Sequence, residues 1–435
     1  MSSPTPLTVP ASRPGPGTGA VGARPRERDG LARAGIVLGI ASLPILTPKF
    51  ASNLAPADLG LVVGIGMVLL WAGSTRQPLR LPFAAGMGLM MIAGTLSALL
   101  GALPWQGAIT VVQDLYLLAW AAALANFGRS AAAAGFLVRT WCVTATIWAV
   151  GSVAVFGPAV ITGGADTERA GFTFGEENAA GLYFVLSLMV VLAARYPRRR
   201  SWRALAIGSL LLGIALSGSL GAISGLLAGL ATALLLQVRA RRGPDTAIAL
   251  SLALLLAAGS MALLVVRSDL IQAASVSSNA LIRNSIGRGA DSSSERTQLA
   301  SETLGLWGTA GLQGRGPVST EHTLRQQLAP YPHEAHNDWV AALIERGVLG
   351  MAGLLLLVLE IVLLAVAIWN PVRLRGGFAA ALPAPAYVVG ALVVVAVFSL
   401  THEALHERPL WTLLGLLAAF GLWGRPTRWS WGGST

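Results

Sequence analysis

Charge is what this sequence has least of. Of its 435 residues 12% are Asp, Glu, Lys or Arg while 54% are hydrophobic, and a soluble domain has no way to bury that much apolar chain. The chain therefore reads as a polytopic membrane protein. Cysteine is nearly missing: Cys142 stands alone inside an apolar run, which excludes a disulfide framework or a cysteine-based metal site within one chain. Lysine is reduced to Lys49, so arginine carries the formal charge of +11. A basic balance points to nucleic acid when the cations gather on one soluble face. Here they lie in short connections between apolar runs, and no nucleic-acid partner is expected. Also absent are a Gly-rich phosphate loop behind a strand pattern and any strong repeat period, so nothing resembles a cytosolic nucleotide-binding domain.

Apolar length is what the chain has in abundance. A span needs roughly 20 apolar residues. Segments of that kind fall near 33–49, 55–74, 82–103, 107–127, 135–157, 178–195, 202–217, 220–238, 246–266, 347–369, 385–401 and 409–424. Several are rich in Gly and Ala, which suits close helix packing in lipid. Arginine placement sets the orientation. Arg24, Arg26, Arg28 and Arg33 precede the first span, Arg425 and Arg428 follow the last, and alternate connections hold Arg76 and Arg80, Arg129 and Arg139, Arg195 to Arg203, Arg239 to Arg242, and Arg373 and Arg375. An even number of spans with both termini cytoplasmic satisfies that pattern. The expected fold is all-α, a polytopic bundle of about 12 transmembrane helices with a large extracytoplasmic loop, in the cytoplasmic membrane. Residues 1–30, rich in Pro, Gly, Ser and Arg, read as a disordered cytoplasmic tail, 31–424 as the membrane domain and 425–435 as a short cytoplasmic tail.

This orientation places two long connections, 158–177 and 267–346, on the outer side, together with all five histidines: His322, His333, His336, His402 and His406. Connections that long usually carry function. In the larger one, Ser292 to Glu295 fits a capping box that opens a helix running towards Trp307 and stopping at Gly311. Arg296, Ala300, Thr303 and Trp307 would share a face of a segment lying along the membrane surface. Gly314, Gly316 and Pro317 then force a turn back towards His336.

The chemistry converges on 332–350, PHEAHNDWVAALIERGVLG. Imidazole is the side chain that takes and gives a proton near neutral pH, and at a membrane surface it suits a general base for an acceptor hydroxyl. His336 and Asn337 are followed by nine residues, Gly347, two more residues and Gly350. This spacing resembles the signature of the O-antigen ligase and O-antigen polymerase superfamily of bacterial envelope glycan enzymes. Arg169 to Leu182, RAGFTFGEENAAGL, looks like that family's stretch ending in Asn at the start of a span, with Asn178 matching and Glu177 where a proline is usual. The run from Arg296 through Trp307 to Gly314 and Gly316 looks like its outer-loop pattern. In Ser217 to Ala222, SGSLGA, Leu220 stands where the family carries an arginine.

The resemblance implies transfer of a glycan from a polyprenyl-diphosphate carrier to an acceptor hydroxyl, on a glycan or another molecule, at the outer face of the bilayer. His336 would be the base, Asn337 would fix its ring, and Arg296 would grip the diphosphate with paired donors. Arg169, Arg288 and Arg315 are candidates for a second phosphate contact beside Arg283, while Asn178 and His402 would line the substrate cavity. No cofactor or metal is implied, since guanidinium groups can stabilise the leaving group. Glu334 and Asp338 flank the motif and could orient His336. Two other readings stand beside this one. HEALH at 402–406 matches a zinc metalloprotease pattern, and a secondary transporter would use buried carboxylates such as Asp114. Asp58, after Pro56, is expected at the interface.

Overall fold

The computed structural model describes residues 28–48, 54–161, 171–267, 270–277, 279, 282–283, 287, 298–299, 301–329 and 332–425. Among the described residues twelve helices of 13 residues or more overlap the apolar segments: α1 (Arg28–Ser42), α2 (Pro56–Ser74), α3 (Ala84–Leu100), α4 (Pro104–Phe127), α5 (Ala131–Ile161), α6 (Glu177–Ala194), α7 (Arg200–Ser217), α8 (Leu220–Arg242), α9 (Pro244–Arg267), α10 (Asp338–Ile368), α11 (Ala386–Phe398) and α12 (Arg408–Trp423). No strand occurs among the described residues. By length and composition α2, α4, α5, α6, α8 and α10 are able to cross a membrane, and α3, α11 and α12 are apolar but shorter. The chain is a multi-pass, all-helical membrane protein.

Local chemistry fixes the ends. Pro56 opens α2, where its missing N–H costs nothing, and the Asp58 carboxylate reaches back to accept the Ala55 N–H at 2.8 Å. Ser219 caps α8 by accepting from the Ala222 N–H at 3.3 Å. α1 stops at Ser42, short of the expected 49, because Pro44 disfavours helical backbone at Leu43. α10 departs the other way: it begins at Asp338, nine residues ahead of the expected 347.

The centre of the bundle is α6, with 78% of its apolar window buried, and α12, buried without interruption from Pro409 to Gly421. α12 packs on α4, α11 on α8 and α6, and α10 on α3. Absent side chains permit two of these contacts. A methyl on Gly229 would stand 2.7 Å from the Gly390 carbonyl, and one on Gly353 2.7 Å from the Met90 backbone nitrogen, so α8 and α10 approach their partners backbone to backbone.

Gly347 divides α10. Its φ of 70° and ψ of −166° belong to a region that glycine alone adopts readily, and the helix bends there. The carbonyls released by the bend are met by the Gly314–Gly316 turn: Arg315 N–H donates to Ile344 O at 3.0 Å and Gly316 N–H to Glu345 O at 2.9 Å, while Val348 N–H donates to Leu312 O at 3.0 Å. A small apolar cluster of Leu299, Leu306, Leu324 and Ile344 also seats the connection on the first turns of α10. The expected helix along 292–311 falls partly outside the described residues. Within them, 301–305 and Trp307–Ala310 are helical on either side of a turn at Leu306. That turn separates the faces: Thr303 is buried and Trp307 is exposed.

Candidate active site

A cavity of about 450 Å³ opens where the first turns of α4, α6 and α12 meet the connections before α10 and α12. Its wall includes His336 and Glu334 from the first of these connections, His402, Glu403, His406 and Glu407 from the second, Arg408 from α12, Asn178 from α6 and Gln106 and Gln113 from α4. The structure places His336, His402 and Asn178 on the wall of this one cavity. Arg169, Arg288 and Arg296 lie outside the described residues. Arg315 sits beside the α10 bend, held through its backbone, and does not line the cavity.

His336 is half-buried with a φ of 47°. A non-glycine residue in the left-handed region is uncommon and collects at functional sites. Its ring centroid lies 6.4 Å from that of His333 and 6.4 Å from that of His402. Asn337 holds the backbone after this pivot. Its Oδ1 accepts from Trp339 N–H at 2.9 Å and Val340 N–H at 3.1 Å, and its Nδ2 donates to Leu400 O at 2.9 Å. The amide is therefore the N-cap of α10 and a tie to the opposite connection. The expected contact with the imidazole is replaced by these backbone bonds. Asp338 likewise turns away from His336, its buried carboxylate accepting from Ala404 N–H at 2.9 Å and Leu405 N–H at 3.2 Å.

The second connection is built differently. Residues 401–407 form turns, so the two histidines of HEALH do not share a helix face as the metalloprotease pattern requires. His402 is buried and stacks on Phe398 at 4.4 Å between centroids, with Thr401 Oγ1 3.1 Å from its Nδ1. His406 lies between two carboxylates, Nε2 at 3.6 Å from Asp114 and Nδ1 at 3.7 Å from Glu403. Burial works against a charge on this imidazole, and the Asp114 and Glu403 carboxylates outweigh it, raising its pKa to about 10. Burial would raise the Glu403 pKa, but His406 beside it holds the carboxyl below the ordinary value. Among the described residues no group of three or more His, Cys, Asp or Glu is placed to hold a metal ion.

Two buried ion pairs fix the walls. Asp114 accepts from Arg346 Nη1 at 2.6 Å, tying α4 to α10 just before the bend. Asp58, expected at the interface, is buried and holds Arg408 in a two-bond fork, each at 2.8 Å, while also accepting from Tyr116 Oη at 2.6 Å. Sequence reasoning missed Arg408 as a cavity residue. A usable signal existed for Arg408: a carboxylate at the start of a span calls for a cation at the same depth, and Arg408 opens the last span.

Leu220 sits half-buried at the start of α8, one residue from Gly221. A methyl on Gly221 would stand 3.4 Å from His402 Nδ1, so the Ser217–Ala222 turn abuts the cavity wall although Leu220 does not line it. Residues 205–355 match a family model described as O-antigen ligase. This segment is similar to the O-antigen ligase family. The match runs from α7 through the bend of α10 and contains the SGSLGA turn, the long connection and the His336 to Gly350 motif. The superfamily is one of membrane enzymes of polysaccharide biosynthesis of the glycosyltransferase type. A search of curated proteins finds no match to the chain.

Proposed function

We propose that the chain joins an oligosaccharide or polysaccharide carried on a polyprenyl diphosphate to an acceptor hydroxyl at the outer face of the cytoplasmic membrane. In this reading all twelve long helices cross the bilayer with both termini cytoplasmic, and the cavity faces outward. His336 takes the proton of the acceptor hydroxyl as its oxygen attacks the anomeric carbon. The bond from that carbon to the phosphate oxygen breaks, and the diphosphate leaves on its carrier. Arg296, with Arg169 or Arg288 as a second contact, neutralises the leaving group without a metal. Asn178 and His402 shape the sugar side of the cavity. Asn337 and Asp338 act through the backbone, holding the two connections against each other.

The observation that carries this reading is the placement of His336: a strained, half-buried imidazole on a cavity wall, one residue before the cap of α10 and inside the family-matched segment. The test is gene deletion followed by complementation with His336→Ala, Arg296→Ala and His402→Ala, scoring envelope polysaccharide and lipid-linked precursor. Precursor build-up with His336→Ala present at normal level in the membrane supports the transferase. Full complementation by His336→Ala removes it. Leu220→Arg probes the family departure: increased transfer would mark its arginine as a missing phosphate contact.

A further inference from the structure

A second hollow of about 460 Å³ shares no lining residue with the cavity and lies mainly between α8, α10 and α11. Its wall is mainly apolar. Along α10 it uses Leu354, Leu357, Val358, Ile361, Ala365 and Trp369, spacings of three and four that make one continuous stripe. At 1.5 Å per residue the stripe is about 22 Å long, on the scale of one leaflet and more of the roughly 30 Å hydrocarbon core.

The two ends of this groove differ in charge. One reaches Ser399 and Asp338, whose carboxylate is engaged by backbone N–H groups. The other ends on Trp369 between two guanidinium groups, Arg239 in the last turn of α8 and Arg373 in the turn after α10, at 5.8 Å and 5.5 Å from its ring. Arg373 is held in place by its Nη1 donating to Val366 O at 2.8 Å. Trp369 also walls a neighbouring hollow of about 230 Å³ lined by Arg195 and Arg241. No carboxylate lines this end of either hollow among the described residues. An apolar slot closed by an aromatic ring and paired arginines matches an amphiphile with a long hydrocarbon chain and an anionic head. A polyprenyl tail serving the His336 cavity would enter from the opposite end and leave the arginines without a partner.

We infer that the groove between α8, α10 and α11 is a binding site for an anionic diacyl phospholipid, with an acyl chain along α10 and its phosphate on Arg239 and Arg373. The site is separate from glycan transfer. It ties α10, which carries the His336 motif, to α8 and α11 through a lipid. Basic pockets between membrane helices hold anionic headgroups in this manner.

The experiment uses the full chain purified in detergent and read by native mass spectrometry, with phosphatidylglycerol, phosphatidylcholine and a polyprenyl phosphate added in turn. The wild-type chain is expected to retain one phosphatidylglycerol through collisional activation that strips phosphatidylcholine. Arg239→Gln with Arg373→Gln should weaken that retention about 25-fold, taking about fivefold per arginine. Arg239→Lys with Arg373→Lys should keep most of it, and Ala365→Trp, which fills the groove, should abolish it. Equal retention of phosphatidylglycerol and phosphatidylcholine by the wild-type chain overturns the inference, with no variant needed. So does unchanged retention in the Gln pair, or a polyprenyl phosphate that displaces phosphatidylglycerol and is indifferent to both arginines.

Discussion

The connections before α10 and before α12 line one cavity, the first with His336 and Glu334 and the second with His402, His406, Glu403 and Glu407, yet they use these groups in opposite ways. Before α12, His406 is clamped between Asp114 and Glu403, and His402 is stacked on Phe398. Before α10, His336 sits on a left-handed pivot, and no hydrogen bond or ion pair engages its ring among the described residues. A histidine that two carboxylates keep protonated is a poor base, because its proton is already taken. In the proposed reading the His336 ring is the one that exchanges a proton with the substrate. A histidine motif thus acquires its meaning from its downstream neighbours: a capped helix after His336, turns after His402.

The sharpest way to break this contrast is to remove each ring. His336→Ala should lower transfer of labelled lipid-linked glycan in membranes by about a hundredfold to ten-thousandfold, and His402→Ala by far less. Equal losses would erase the distinction. Next comes the wall behind His406. Arg346→Ala leaves the buried Asp114 without its guanidinium, and thermal unfolding in detergent should show a loss of about 3–5 kcal/mol. Replacing both partners, Arg346→Met with Asp114→Leu, should recover most of it. Asn337→Ala should cost about 1 kcal/mol as a lost helix cap, with Asn337→Asp restoring the capping bonds, and activity should follow stability.

The smallest effect is a dependence on pH. The folded chain keeps the His406 proton up to about pH 10, whereas the ordinary imidazole value is 6.5. Its contribution is thus fully present below pH 6.5 and is lost as pH rises through about 10. Melting temperature recorded from pH 6 to pH 10 should fall with a component that His406→Gln removes. The effect is modest, since 29% of the His406 side chain is exposed.

Most of the fold was legible because apolar length is written along the chain, one segment at a time. Pro44 shortened α1 by a rule that was itself readable. The start of α10 was not, because its first turns carry Asp338, Glu345 and Arg346, polar groups whose partners come from elsewhere. The His336 motif was legible as spacing, but Gly347 was expected at the mouth of a helix and instead bends one. Partner choice was hidden for a physical reason. Asp114 and Arg346 are 232 residues apart and Asp58 and Arg408 are 350, so only helix packing decides who meets whom. The proposed phosphate contacts Arg169, Arg288 and Arg296 fall outside the described residues, and their part in the site rests on the resemblance.

The Asp58 to Arg408 pair also has a consequence for biosynthesis. In the proposed topology Asp58 and Asp114 enter the membrane long before Arg346 and Arg408 have been translated, so the nascent bundle carries both carboxylates without their guanidinium partners until α10 and α12 follow. In that reading α12 then slides into the middle of what is already inserted and supplies Arg408 to Asp58. A premature stop codon anywhere ahead of it would leave a product that cellular proteases meet as unfinished, whatever its upstream helices have achieved.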